Sequence, residues 1–514
     1  MKHLKLIRRI AAALFFVPIV LSFLDFTGKL PLQLHALIHL QWVPSLLTVS
    51  AASLLFLVVL SLVFGRMYCS VICPLGVMQD LSSWKSTWFP RRKRKRYIYR
   101  KPHTILRYSI LTLVLIAFAS GSSMLVVLLD PYSVFGRIMT QIFRPIFIVL
   151  NNLLVVPLSH IGVYSLYKVE QLPFVPLVFG VTVLFFVIVA VMSWFWGRLY
   201  CNTICPVGTF LGIFSKFSLF KVEIEQSSCT QCSACETKCK SQCIDSLTMT
   251  VDDSRCVSCF NCLSVCKKGG VKYAFRYERK KKTAPKSTIS NETTDLHKRT
   301  FLITTGAVLA GAVTANTRII KGAQDSYLTR KPIMPPGAFD AAHFHQHCTG
   351  CQLCVAKCPM QVLKPASLQY GFSGIMQPHL VFSTHVYCNY ECTICTDVCP
   401  TGALKPLTVA QKKVNQIGVA VFRKHLCVVN VDEEDCGACS EHCPTQAVHM
   451  EPFKNGLTIP EVTAELCIGC GGCESICPVE PYQAIYVEGV TNQATAKKPV
   501  EAEKFDKKVE DFGF

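Results

Sequence analysis

The spacing of its cysteines constrains this chain more than any other feature. Of 514 residues, 29 are cysteine, and 25 of these lie between positions 229 and 477 in runs separated mostly by two, two and three residues. Thiolates at such spacings ligate iron-sulfur clusters. A disulfide framework does not fit, because such scaffolds are short secreted chains. Zinc ribbons do not fit either, because they need two Cys-x-x-Cys pairs rather than repeated triplets with a fourth cysteine.

Eight cysteines form two consecutive CxxCxxCxxxC runs, which predict a two-cluster ferredoxin domain at 221–278. In such domains the fourth cysteine of each run ligates the cluster of the other run. The rule predicts two ligand sets, namely Cys229, Cys232, Cys235 and Cys266, and Cys256, Cys259, Cys262 and Cys239. Lysine follows both fourth cysteines where proline is usual, and Cys243 is an extra thiol that could compete with Cys239.

Sixteen further cysteines form four runs, each ending in Cys-Pro, in a second domain predicted at 332–487. The runs are Cys348, Cys351, Cys354 and Cys358; Cys388, Cys392, Cys395 and Cys399; Cys427, Cys436, Cys439 and Cys443; and Cys467, Cys470, Cys473 and Cys477. They suffice for four clusters, so the chain is predicted to hold six 4Fe-4S clusters. Two pairings stay open. In the nested one Cys477 completes the Cys348 cluster, Cys358 completes the Cys467 cluster, and Cys443 and Cys399 are exchanged between the two middle runs. The other pairing is sequential.

Long apolar runs place the N-terminal part, 1–220, in a bilayer. The composition is 51% hydrophobic and 17% charged, with a mean hydropathy of +0.35. We predict four spanning helices at about 11–24, 46–64, 105–129 and 174–196. A signal peptide is the alternative for the first. The broken apolar segment 143–161 is expected to be an interfacial helix, with re-entry into the bilayer as the alternative.

The formal net charge is +20, but six clusters with their thiolates, at roughly −2 each, would reduce it to about +8. The basic loop at 91–101 is then a positive-inside signal, which places this loop on the cytoplasmic side. The expected location of the chain is the bacterial inner membrane. The remaining positive charge does not indicate a nucleic-acid-binding surface. The first ferredoxin domain should also be cytoplasmic, because it follows a span that ends inside.

Two nearly identical motifs end the second and fourth predicted spans: GRMYCSVICPLG at 65–76 and GRLYCNTICPVG at 197–208, 132 residues apart. The membrane part is therefore predicted to be two copies of a two-helix unit. Arg66 and Arg198 are expected to snorkel to lipid headgroups, with contact to a quinone headgroup or the cluster domain as the alternative. Cysteines at i and i+4 share a helix face. Four thiols can thus meet at a shared metal or iron-sulfur site, or be packed free thiols or labile disulfides: Cys69, Cys73, Cys201 and Cys205.

The remaining segments are a basic linker and a charged tail. Residues 279–331 join the two ferredoxin domains, and 298–315 within them resemble a twin-arginine export signal. A marginal span or a soluble helix are the alternatives there. The tail at 488–514 is expected to be disordered. The predicted fold class is a membrane α-helical module of four spans with an internal repeat, followed by two α+β bacterial-type polyferredoxin domains.

These motifs resemble the Nap-type polyferredoxin family. Residues 1–278, with two GRxYCxxxCPxG motifs and a two-cluster domain, are similar to NapH, a membrane quinol dehydrogenase polyferredoxin. Residues 298–487, with RKPIMPPGAF, HCTGCQLCVAKCP and the long Cys427 to Cys436 spacing, are similar to NapG, an exported four-cluster ferredoxin. The resemblance implies a NapH-NapG-like fusion that passes electrons from quinol, favouring menaquinol, to a periplasmic reductase or cytochrome.

No CxxCH haem motif, Walker A loop or Rossmann fingerprint is present in the sequence, so substrate chemistry is expected on another protein and no catalytic residue is assigned. Two alternatives to a quinol-fed electron-transfer protein remain. One is a redox maturation factor for a metalloenzyme, and the other is a cytoplasmic module that receives electrons from a ferredoxin. The predicted topology also raises a difficulty. It places the two ferredoxin domains on opposite faces, so the four motif thiols would have to bridge part of the bilayer.

Overall fold

The computed structural model describes residues 2–25, 36–85, 97–160, 162, 166–170, 174–277, 330–372 and 374–498. It shows a helical N-terminal part followed by two parts made of short helices and two-stranded antiparallel sheets. The predicted linker and export signal, up to residue 329, lie outside the described residues. So does the end of the tail from residue 499.

Thirteen α-helices form the described portion of the N-terminal part, and a π-helical segment, Met139–Phe143, joins the ninth to the tenth. They are α1 (Lys2–Leu24), α2 (Ala36–His39), α3 (Trp42–Leu47), α4 (Ala51–Phe64), α5 (Tyr68–Val71), α6 (Pro74–Lys85), α7 (Thr104–Ala119), α8 (Met124–Leu129), α9 (Pro131–Ile138), α10 (Arg144–His160), α11 (Pro176–Trp196), α12 (Leu199–Thr203) and α13 (Pro206–Ser215).

Three helices in the described residues are long and apolar enough to cross a membrane: His3–Leu24, Pro131–His160 and Pro176–Trp196. The second and third predicted spans are shorter. α4 has 14 residues because the chain turns at Val49, and α7 has 16 because it ends before the turn at Gly121. The segment predicted as interfacial instead belongs to the continuous 30-residue helix that begins at Pro131.

The first cysteine-rich part has the antiparallel pair β1 (Phe220–Ile224) and β4 (Val271–Phe275), with Val222 opposite Tyr273. Between these strands lie α14 (Ala234–Thr237), the short pair β2 (Ile244–Asp245) and β3 (Thr250–Val251), and α15 (Asn261–Val265). The two helices begin within the two cysteine runs, so each run forms a loop that enters a short helix.

The second cysteine-rich part begins with α16 (Ala341–His347), α17 (Leu353–Lys357) and the pair β5 (Leu363–Pro365) and β6 (Pro378–Leu380). It continues with α18 (Ile394–Asp397), α19 (Val409–Lys412), β7 (Asn415–Phe422), α20 (Val428–Val431), α21 (Ala438–Glu441), the pair β8 (Val448–Pro452) and β9 (Thr458–Val462), α22 (Gly472–Ile476) and β10 (Ile485–Thr495). β10 pairs with β7 up to Thr495 opposite Asn415. The fold therefore extends beyond residue 487, and the expected disorder of the tail is wrong for 488–495.

Helix α1 contacts both cysteine-rich parts. Near its start, the Lys5 ammonium donates to Ser264 Oγ of the first part at 3.1 Å. Just beyond its end, Asp25 pairs with Lys357 of the second part at 2.6 Å, and both side chains are buried. Twenty-three helical residues span about 34 Å. The two cysteine-rich parts thus lie at opposite ends of a helix long enough to cross a bilayer.

Candidate iron-sulfur sites

The four motif cysteines of the helical part, which we call the quartet (Cys69, Cys73, Cys201 and Cys205), lie together in its core. All four are buried and interact electrostatically with one another. Two lie in α5 and α12, and two directly precede α6 and α13. The Gln79 amide donates to Cys201 Sγ at 3.2 Å, and the Gly208 N–H donates to Cys205 Sγ at 3.3 Å. The predicted convergence of the four thiols is present.

The two motif arginines hold the two halves of the quartet in a reciprocal arrangement. Arg66 of the first motif donates to the Cys201 carbonyl of the second at 3.0 Å, and Arg198 of the second donates to the Cys69 carbonyl of the first. Both side chains are completely buried. The expectation that they snorkel to lipid headgroups is wrong. Arg66 instead reaches the first cysteine-rich part, through the Ser254 carbonyl at 3.0 Å.

Two motif glycines leave the space that these arginines occupy. A Cβ atom on Gly76 would lie 2.2 Å from the Cys69 carbonyl oxygen and 2.6 Å from the Arg198 guanidinium. One on Gly208 would lie 2.4 Å from the Cys201 carbonyl oxygen and 2.7 Å from the Arg66 guanidinium. Both positions therefore require glycine for close approach, in equivalent places of the two motifs.

A buried carboxylate, Asp80, joins the quartet region to its neighbours. It pairs with Arg198 at 3.0 Å, with Arg8 of α1 at 2.9 Å and with Lys240 of the first cysteine-rich part at 3.3 Å. Burial alone would raise the pKa of Asp80, but these three cations outweigh it and hold that pKa below its usual value. The carboxylate is thus ionised and ties together three segments of the chain.

In the first cysteine-rich part the cysteines group as the two-cluster rule predicts. Set 1 (Cys229, Cys232, Cys235 and Cys266) lines a cavity of about 350 Å³. Set 2 (Cys239, Cys256, Cys259 and Cys262) is tied by mutual electrostatic interactions. The extra thiol, Cys243, lies 3.6 Å from Cys239 and is hydrogen-bonded to it. That bond lowers the pKa of Cys239 and raises that of Cys243, so Cys239 is the better thiolate.

In the second cysteine-rich part the runs pair sequentially. Cys358 shares a cavity with the second run, and Cys477 shares one with the third. The fourth cysteines are thus exchanged between the first and second runs and between the third and fourth, and the nested pairing is wrong. The resulting groups are set 3 (Cys348, Cys351, Cys354 and Cys399), set 4 (Cys358, Cys388, Cys392 and Cys395), set 5 (Cys443, Cys467, Cys470 and Cys473) and set 6 (Cys427, Cys436, Cys439 and Cys477).

Left-handed backbone shapes the loops with strict CxxCxxC spacing. In all four such runs, the residues two and four positions after the first cysteine have positive φ. They are Gln231 and Ser233, Ser258 and Phe260, Gly350 and Gln352, and Gly469 and Gly471. Non-glycine residues there cost roughly 1–2 kcal/mol each. This repeated cost has to be offset by what the loops enclose. The runs beginning at Cys388 and Cys427, whose first spacing is longer, lack the pattern.

The spacing of the sulfur atoms fits a cluster better than a single ion. A tetrahedral zinc site with metal-sulfur bonds of about 2.3 Å holds its sulfurs roughly 3.8 Å apart. Across the portions of the chain that the structure describes, no group of three cysteine sulfurs lies within 4.8 Å. Backbone N–H groups also point at the thiols, as at Cys399 (3.4 Å from Leu404 N) and Cys467 (3.4 Å from Ala420 N). Four soft donors around a wider centre suit 4Fe-4S.

The seven cysteine groups, namely the quartet and sets 1 to 6, lie one after another through the molecule. Lys240, beside Cys239 of set 2, accepts a hydrogen bond from Arg198 N at 2.9 Å, next to the quartet. On the other side, Cys351 of set 3 belongs to the same hydrophobic core as the quartet. Cys354 interacts electrostatically with Cys395 of set 4. Set 4 adjoins set 5, because Cys388 N donates to the Cys470 carbonyl at 2.9 Å. Set 5 adjoins set 6, because Cys473 interacts electrostatically with Cys439.

Several residues that support the cysteine groups lie outside the cysteine motifs, so cysteine spacing does not predict them. Gln79 and Asp80 follow the first motif, whereas the corresponding positions of the second repeat hold Leu211 and Gly212. Asp80 is the sole acidic residue of α6, and that was the available signal. Lys412 is also buried, and its ammonium counteracts the rise that burial causes in the pKa of Cys388. No periodicity in the sequence marks it.

Three family models match the chain, and all describe 4Fe-4S binding. A 4Fe-4S binding domain matches residues 46–96 and again 178–225, each match containing one half of the quartet. Two 4Fe-4S dicluster domains match residues 347–404 and 434–501. The division at about residue 404 agrees with the sequential pairing of the runs. No solved structure matches the chain.

Curated relatives are ferredoxin-type proteins. The methylamine utilization ferredoxin-type protein MauM of Methylophilus methylotrophus is 35% identical over 32% of this chain and 76% of its own. The ferredoxin-type protein NapF of Escherichia coli K12 is 31% identical over 30% of this chain and 85% of its own. NapG of the same strain is 32% identical over 29% and 67%. The chain belongs to this Nap and Mau family of ferredoxin-type proteins and is an iron-sulfur electron-transfer protein.

Proposed function

We propose that this chain is a NapH-NapG-like fusion of the inner membrane that oxidises quinol, in particular menaquinol. Electrons enter at the helical part and leave through the second ferredoxin domain to a periplasmic reductase or cytochrome. The first ferredoxin domain would lie in the cytoplasm and the second in the periplasm. The observation that carries the proposal is the continuous series of seven cysteine groups, with the quartet between the two domains.

The residues would hold seven 4Fe-4S clusters, six on sets 1 to 6 and a seventh on the quartet. When bound, such clusters supply one-electron transfer. The protein's contribution is to position them, to exclude water and to place charge beside them. Arg66 and Arg198 offset negative charge at the quartet, where every thiol is at most 4% exposed. The two ferredoxin domains would lie on opposite faces of the membrane. With the quartet between sets 2 and 3 rather than at one face, electrons would have a route from one domain to the other.

The same burial argues against the maturation-factor alternative. Handing a metal or a disulfide to a partner needs a thiol that the partner can reach. Cys69, Cys201 and Cys205 are 3–4% exposed and are enclosed by helices of this chain. The ferredoxin-fed alternative differs in the donor alone, so it is decided by experiment.

The test is anaerobic addition of a reduced menaquinone analogue to the purified full chain, with cluster bleaching followed by absorbance. Iron and sulfide are measured on the same sample. We expect rapid reduction of most of about 28 irons per chain. Clusters that stay oxidised with quinol but are reduced by a reduced soluble ferredoxin would contradict the quinol proposal and favour the ferredoxin-fed module.

A further inference from the structure

A small apolar cavity of about 130 Å³ lies beside the quartet, between α3, α7 and α13. Its walls include Trp42, Val114 and Phe210. Leu46 and Leu115 at its rim remain exposed, on helices of the part that we place in the bilayer. A cavity of about 150 Å³ with apolar walls holds one benzene-sized ring. This cavity therefore has the size and the access for one ring of a lipid-soluble molecule.

One charged group lies among these apolar side chains. Asp130 is the sole carboxylate among the residues that line the cavity, and it is 2% exposed. It caps α9, and the Ser133 N–H and hydroxyl both donate to its Oδ2, at 2.8 and 2.7 Å. Helix capping alone explains an aspartate here. It does not explain why the cap lies in the wall of a cavity that opens among exposed apolar side chains.

The cavity touches one of the two chain segments that carry the quartet, and one hydrogen bond links it to the other. Pro206 and Val207, which line it, directly follow Cys205. The backbone N–H of Trp42, another lining residue, donates to the Tyr68 hydroxyl at 3.1 Å, and Tyr68 directly precedes Cys69. A ring bound here would thus contact the two residues that follow Cys205 and the residue that binds Tyr68.

We propose that this cavity binds the hydroxyl-bearing ring of the quinol, with Asp130 as the group that accepts a proton from it. The inference rests on the proposed function and gives it a location. The polyprenyl tail would lie along Leu46 and Leu115, towards lipid. Trp42 and Phe210 would contact the ring, and a ring hydroxyl would donate a hydrogen bond to the Asp130 carboxylate.

Oxidation of one quinol to quinone releases two electrons and two protons. The oxidant would be the oxidised clusters of the proposed function, which the quartet and sets 1 to 6 would hold and which would supply one-electron acceptors. The two O–H bonds break heterolytically. Asp130 accepts the proton of the hydroxyl that it binds and later releases it to water, and the proton of the second hydroxyl passes to water directly. Asp130 thus acts directly on the substrate in this proposal.

A larger cavity, of about 890 Å³, lies between α1, α6 and the first ferredoxin domain. Its lining includes five cationic side chains and one carboxylate, Asp80, which is already paired with three cations. That carboxylate is therefore a poor proton acceptor, and the charged lining suits an uncharged ring less well. Of the two cavities, the smaller one combines apolar walls with a carboxylate that forms no ion pair within 4.0 Å in the described residues.

The test uses the full chain in nanodiscs with two variants. Asp130→Asn keeps a good helix cap but removes the proton acceptor. We expect about a 100-fold slower reduction by a menaquinol analogue, with unchanged iron content and unchanged reduction by dithionite. Val114→Phe fills the cavity and should weaken binding of an oxidised short-tailed menaquinone at least about tenfold, read from quenching of tryptophan fluorescence. Asp340→Asn is the matched control, because Asp340 caps α16 away from the cavity.

The two readouts separate this inference from the proposed function. Failure of quinol to reduce the wild-type chain, with tryptophan quenching that Val114→Phe abolishes, would contradict the proposed function and support the binding site. Quinol reduction at the wild-type rate in Asp130→Asn, or wild-type quenching in Val114→Phe, would overturn the site. Loss of activity through Leu81→Trp in the larger cavity, with both first variants unaffected, would move the site there.

Discussion

The quartet and the ferredoxin-type sets solve the same problem with different parts of the fold. In the strict runs a loop of left-handed residues brings three thiols together within seven positions, and one distant cysteine completes the group. The quartet takes two thiols from each of two segments 132 residues apart, held by the crossed arginines. Local sequence therefore builds most of a ferredoxin-type set, whereas the quartet depends on the tertiary fold around it.

The largest effect should come from removing one crossed arginine. Arg66→Leu leaves the Cys201 and Ser254 carbonyls without their buried donor. Each buried acceptor left without a donor costs about 1–3 kcal/mol. We expect the melting temperature of the purified chain to fall by roughly 10 °C, with loss of the quartet's iron.

The control for this variant is Arg9→Leu, because Arg9 is exposed on α1. It should melt within about 2 °C of the wild type. Equal melting of Arg66→Leu and the wild type would show that the crossed contacts do not hold the quartet together.

A single methyl group should also disturb the quartet. In Gly208→Ala the new Cβ would lie 2.4 Å from the Cys201 carbonyl oxygen, so the α12–α13 turn must shift. We expect a loss of about four irons per chain, measured by colorimetric iron analysis. Gly180→Ala in α11 is the matched control, since nothing lies within 4 Å of its Cβ. An intact iron content in Gly208→Ala would contradict the tight geometry.

Double variants distinguish the sequential pairing from the nested one in the second ferredoxin domain. Cys358 and Cys395 belong to one set, so Cys358→Ser with Cys395→Ser should remove about four irons. Cys358 and Cys470 belong to different sets, so that pair should remove about eight. The nested pairing predicts the reverse. Iron content per chain, measured on anaerobically purified protein, gives the answer.

The smallest effect should follow removal of the extra thiol. Cys243→Ser keeps a small buried donor beside Cys239 and should leave the iron content unchanged. Cys239→Ser should lose about four irons, because Cys239 is grouped with the thiols of set 2. Should both variants lose the same iron, the two thiols would share the role.

Cysteine spacing predicted the grouping of the thiols in the first ferredoxin domain, where each loop supplies three of them, and the repeated motif predicted the convergence of the quartet. Neither pattern predicted the bounds of α4 and α7, which depend on single turns at Val49 and Gly121. The burial of Arg66 and Arg198 was not predicted either, because cysteine spacing does not show that carbonyls of the opposite motif accept hydrogen bonds from these arginines. The pairing of the runs required the path of the chain between them.

Whether the quartet binds a cluster and carries electrons is best decided by comparing the wild type with the Cys69→Ser, Cys201→Ser double variant. Iron and acid-labile sulfide are counted, and menaquinol-driven bleaching is followed on the same anaerobic samples. We expect about 28 irons in the wild type and about 24 in the variant, with reduction by quinol in the wild type but not in the variant. Equal iron contents with equal rates of quinol-driven reduction would show that the quartet neither binds a cluster nor carries electrons.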